Sequence, residues 1–117
     1  MASLRDLATA RSGDKGDTAT LGVVCRDPAD YPLLAAWLTP ERVAAFLAPD
    51  VRGPVRRHEL PGLAALLFVL EGALEGGVTR SLALDPHGKS LASSLLAMPL
   101  PPDVAARSRL ASAPAGR

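Results

Sequence analysis

The chain has 117 residues, 48% of them hydrophobic, and a formal net charge of +1, which is enough for one domain with one core and too little for a second domain. Near-neutral charge with scattered basic residues excludes a protein held to nucleic acid or a membrane surface by bulk electrostatics. The single cysteine, Cys25, excludes an intrachain disulfide framework and a thiolate metal site.

Met1 to Asp6 carries an acid and has no long apolar region behind it, so no signal peptide is expected and the predicted location is cytoplasmic. Leu4 to Ala10 reads as a first strand. Thr20 to Arg26, with β-branched Val23 and Val24, reads as a second, and Cys25 inside it as a buried, inert thiol.

Between these runs lies the densest chemistry of the chain: Arg11, Ser12, Gly13, Asp14, Lys15, Gly16 and Asp17. Its glycines let successive N–H groups turn into one concavity, with Arg11 and Lys15 adding positive charge, which is how an anion is cradled. No Gly-Lys-Ser/Thr follows in P-loop register, so a nucleoside triphosphate is not the first expectation. Asp14 and Asp17 have the chemistry to face a hard cation or to act as a base. The bland reading is a tight turn in which the same acids cap backbone N–H groups and pair with Arg11 or Lys15. The connection spans about nine residues where about two to five close a hairpin, and that excess length favours a site.

Asp27 to Asp30 breaks the second strand, and Asp30 or Tyr31 caps a helix with Leu33, Leu34, Trp37 and Leu38 on its apolar face. Thr39-Pro40-Glu41 starts another helix, whose face holds Val43, Phe46 and Leu47. After Ala48-Pro49-Asp50 and Gly53-Pro54, Val55 to Leu60 reads as an edge strand whose charges discourage pairing with another chain. His58 in it has no second histidine or carboxylate at ligand spacing, so a surface histidine is expected.

Leu63, Leu66, Leu67, Leu70 and Leu74 follow helical spacing and predict a core helix over 60–74, stopped by Gly76-Gly77. Its apolar run is about half of the roughly twenty residues a bilayer span needs. Gly76 and Gly77 also permit close backbone approach to a ligand or a neighbouring strand. Thr79 to Leu84 reads as a strand with Arg80 at its mouth, and Asp85-Pro86-His87-Gly88 as a turn with His87 in solvent. Ser90 to Met98 reads as a helix. Residues 101–117, rich in Pro, Ala, Ser and Arg, are expected to be a flexible tail behind a single domain over 1–100. The order β-β-α-β-α-β predicts an α+β layered domain of ferredoxin-like type, a mostly antiparallel sheet with helices on one face and the other free for a partner.

These residues together resemble the small C-terminal domain of acyclic terpene utilisation (AtuA-like) proteins, here as a free-standing chain. The likeness runs from Leu7 to about Met98 and is carried by Ala10 to Asp17, Gly22-Val23, Tyr31-Pro32-Leu33-Leu34, Thr39 to Val43, Gly53-Pro54-Val55, Glu59-Leu60-Pro61, Gly72-Ala73-Leu74 and Gly76 to Leu82. The resemblance implies a ferredoxin-like fold and a role beside acyl-CoA chemistry in the breakdown of terpenoid or branched acids. Where relatives resemble Asn-Ile-Gly after the charged stretch, this chain has Thr20-Leu21-Gly22, and polar positions of the expected core helix are Gly62, Ala64 and Leu67.

No nucleophile–base pair with an orienting third group can be assembled. The leading reading is therefore a small subunit that docks onto a larger AtuA-like subunit, or forms a homo-oligomer, and lends its charged stretch to a shared site. The alternative is a self-sufficient ligand-binding protein or acyl-CoA hydratase or lyase. In it Arg11, Lys15 and the N–H groups near Gly13 and Gly16 hold an anionic small molecule, and Asp14 or Asp17 moves a proton. Gly76, Gly77 and Arg80 are expected to approach the same site. No cofactor and no resident metal are assigned.

Overall fold

The computed structural model describes residues 2–15, 18–47, 53–71, 91–108 and 110, without the side chains of residues 14 and 15. The strand expected from Leu4 begins only at Ala8. Ser3 N–H donates to Asp6 Oδ2 at 2.9 Å and Leu4–Asp6 closes a 3-10 turn. Leu4 and Leu7 are both fully buried, a spacing of three that suits a turn and not an alternating strand.

Strand β1 (Ala8–Lys15) pairs antiparallel with β2 (Thr18–Cys25), Ala8 opposite Cys25 and Lys15 opposite Thr18. Arg11 to Lys15 is thus strand and not loop, and only residues 16 and 17 connect the pair. The excess length that favoured a site does not exist. Along β2, Ala19, Leu21, Val23 and Cys25 are buried and alternate with Thr18, Thr20, Gly22 and Val24, the period-two signature of a sheet with one packed face.

Asp27 stops β2 by accepting from Ala29 N–H at 3.0 Å. A 3-10 turn (Pro28–Asp30) leads into helix α1 (Tyr31–Trp37). Thr39 Oγ1 accepts from Arg42 N–H at 3.1 Å and caps α2 (Pro40–Leu47), whose proline sits where a missing N–H costs nothing. Both helices stand where the sequence predicts them.

β3 (Val55–Leu60) is an edge strand as expected, but the expected core helix over 60–74 is a strand. Pro61–Leu63 forms a 3-10 turn, Ala64 takes a left-handed conformation at φ 52°, and β4 (Ala65–Leu70) runs back antiparallel to β3. Leu63, which the helix would bury, is 67% exposed. The sheet order is β1-β2-β4-β3, antiparallel throughout. Over residues 8–70 the order is therefore β-β-α-α-β-β, with a strand where the expected order has its second helical layer, and the α+β class stands.

Helix α3 (Leu91–Leu96) matches its prediction. Beyond it, Leu100 N–H donates to Ala2 O at 3.0 Å and Leu4 N–H to Met98 O at 2.8 Å, and α4 (Pro102–Ala105) buries Val104. Ser108 is fully buried and its Oγ donates to Asp30 Oδ2 at 2.7 Å. Packed structure thus continues past the domain end expected at residue 100. The predicted strand Thr79 to Leu84 and the turn with His87 lie outside the described residues.

One core joins Leu21, Val23, Leu66, Phe68 and Leu70 of the sheet to Leu34, Trp37, Leu38, Val43, Leu47 and Leu95. Arg57 confirms which face is covered: on the same side as Val55, its Nη1 donates to Ala35 O at 2.6 Å and Leu38 O at 2.9 Å at the end of α1.

Candidate functional site: the sheet face opposite the core

Strand alternation sorts the charged stretch onto two faces. Positions 11, 13 and 15 fall on the side away from the helices, and 12 and 14 on the helix side. Arg11, Ser12 and Gly13 are exposed. Gly16, Asp17, Gly76, Gly77 and Arg80 lie outside the described residues, and with them the expected approach of the glycine pair and Arg80 to the hairpin.

The register of the sheet places other residues beside Arg11. It stands opposite Gly22 of β2, Gly22 opposite Leu67 of β4, and Leu67 opposite His58 of β3. These four form one row across the sheet. At about 4.8 Å per strand spacing, its two ends are about 14 Å apart. The row on one side is Thr9, Val24, Ala65 and Leu60, and on the other Gly13, Thr20, Val69 and Arg56.

This face is apolar in the middle and basic at its edges. Val24 is 42% and Leu60 37% exposed, while Leu67 and Val69 are half-buried. Arg56 pairs with Glu71 at 2.5 Å in solvent, an exposed pair worth little to stability. Among the described residues, no helix packs on this side, because the helices share the core with the opposite face. His58 is exposed, as expected.

Gly22 leaves a gap in the floor. A Cβ built on it meets nothing within 4 Å, whereas one on Gly13 lies 3.1 Å from Thr20 Oγ1. The sequence drew attention to Arg11 and passed over Gly22, Leu67 and Val69. The signal that finds them is the alternation of β2 and β4, once both are recognised as strands.

Cys25 offers no nucleophile. It is buried, and burial first, with the negative charges of Asp30 and Asp27 adding to it, pushes its thiol from 9.0 up to about 11. No three His, Cys, Asp or Glu side chains group as a metal site among the described residues. No described helix is long and apolar enough to cross a membrane. What the face offers is an apolar floor that gains from being covered, with donors at two edges to orient what covers it.

The family model of the AtuA ferredoxin-like domain matches residues 2–101. No curated protein and no solved structure matches the chain.

Proposed function

We propose, from the premise that this chain belongs to the AtuA ferredoxin-like domain family, that it is a small subunit or accessory domain of an AtuA-like system handling acyl-CoA or terpenoid-type acids. It docks onto a larger AtuA-like subunit and lends the Arg11–Asp17 hairpin to a site the two share. The observation that carries this reading is the division of the sheet, with one face sealed by helices and the other presenting Val24 and Leu60 to solvent between basic edges. Apolar side chains on a sheet face that the described helices leave uncovered gain from being covered, which supports docking. The acid substrate class is supported by the family and by two cationic residues, Arg11 and Lys15, on the strand that leads to the hairpin turn.

Two measurements test the proposal. The mass of the native complex recovered from the protein's own host should show a larger acyl-CoA-type subunit in fixed ratio, and a lone monomer or homodimer overturns the docking role. The double variant Lys15→Ala with Asp17→Ala should leave the melting temperature within about 2 °C of the parent, as expected of charges that serve a partner and not the fold, and abolish activity of the complex. A large loss of stability with activity retained would make the hairpin structural.

A further inference from the structure

Glycine in the interior of a strand packs nothing and loses the most conformational freedom on folding, so its presence there needs a reason. Two reasons internal to the fold are absent at Gly22. Its backbone is not in the left-handed region that requires glycine, and a Cβ would meet open space. Gly13, its neighbour in the next row, has an internal reason, since a Cβ there would crowd Thr20 Oγ1. Among the described residues nothing fills that space, and the remaining reason is room for a group that packs onto this face from outside them.

The pit is bordered on its own face by Thr20 and Val24 along the strand and by Arg11 and Leu67 across it. Arg11 stands at one end of the row and His58 at the other. An α-helix is about 10–12 Å across, so one helix fits between two ends about 14 Å apart. Among the described residues of this face Glu71, just past β4, is already paired with Arg56, and Arg11 has no such acid beside it. Two copies of the chain laid face to face would therefore bring no unpaired carboxylate of the described residues to either Arg11. Charge complementarity selects a partner with carboxylates.

We propose that the Gly22 pit, with Arg11 and His58 at the ends of its row, seats one α-helix of the larger subunit, which inserts an apolar side chain into the pit and flanks it with carboxylates. This rests on the docking role proposed above and names its surface. Arg11 binds a flanking carboxylate through its forked N–H groups. His58 supplies a ring donor on the far side.

The test titrates the separately purified larger AtuA-like subunit with this chain and with three variants. Gly22→Val fills the pit with a residue that favours strands. It should melt at or above the parent temperature and bind at least tenfold more weakly. Arg11→Glu should also bind at least tenfold more weakly, whereas Glu41→Gln, in α2 on the other side of the sheet, should bind as the parent does. If Gly22→Val and Arg11→Glu both bind within twofold of the parent, the pit is not the seat, although docking itself stands. Should the parent fail to bind the larger subunit at all, the docking role falls and this surface with it. A chain that sediments alone as a dimer and becomes monomeric as Gly22→Val would assign the pit to a second copy and overturn the acidic-helix partner.

Discussion

Arg57 offers the sharpest test of how this fold is held. Its side chain is only 15% exposed, unusual for an edge-strand arginine, because it reaches under the sheet to the end of α1. There Nη1 donates to Ala35 O at 2.6 Å and Leu38 O at 2.9 Å, while Nη2 meets Glu59 Oε2 at 2.9 Å. A helix end leaves its last carbonyls without intrahelical donors, and a cation there also meets the negative end of the helix dipole. Hydrogen bonds from a charged donor contribute about 1.5–3 kcal/mol each when buried, and partial burial lowers that. The Glu59 pair, with its acid 58% exposed, adds about 0.5 kcal/mol or less. Arg57→Met, which keeps the stem and removes the fork, should therefore cost about 2–3 kcal/mol. At about 4 °C per kcal/mol for a domain of this size, that is a fall in Tm of about 8–12 °C. Arg57→Lys should recover less than half of it, since one ammonium cannot reproduce a planar two-acceptor grip. Urea unfolding followed by circular dichroism measures all three. The reasoning is refuted if Arg57→Met costs less than about 0.5 kcal/mol, or if Glu59→Ala costs as much, which would move the energy to the surface ion pair.

Two further outcomes follow from buried groups. Because Cys25 ionises near 11 when folded but near 9.0 otherwise, the unfolded chain binds fewer protons between those values and stability must fall as pH rises through them, by up to about 2–3 kcal/mol. Cys25→Ala should flatten that limb in urea titrations run at a series of alkaline pH values. Ser108→Ala strips a 2.7 Å donor from the buried carboxylate of Asp30 and should cost about 1–3 kcal/mol in the same assay. A value near zero would mean the C-terminal residues do not hold to the domain.

The elements legible in the sequence were those with local punctuation. Thr39-Pro40 announces α2, and Thr39 Oγ1 does cap it. Asp27-Pro28 ends β2, and Asp27 does turn the chain there. The error over 60–74 came from a pattern with two solutions. In a central strand both faces are at least half covered, so Ala65 to Leu70 is apolar throughout, and any unbroken apolar run contains positions at helical spacing. Its length, six residues between Pro61-Gly62 and Gly72, is that of a strand. The burial of Ser108 on Asp30 joins positions far apart in sequence, and no local pattern reports such a contact.

The misread loop had a different cause, and it changes what the charged stretch means. Charges on an edge strand look like a loop because a sheet edge needs no apolar alternation on its open side, yet Lys15 opposite Thr18 leaves only Gly16-Asp17 between the strands, a dipeptide of the hairpin-turn type. Once Arg11 belongs to a strand, its neighbours are set by register and no longer by sequence. The alternation that separates it from Ser12 delivers it to Gly22, Leu67 and His58. Arg11 thus serves as the bridge between the hairpin and the open face. A partner that covers this face must also come up to the residues that precede Gly16, so the proposed docking and the proposed sharing of a site would both follow from one register.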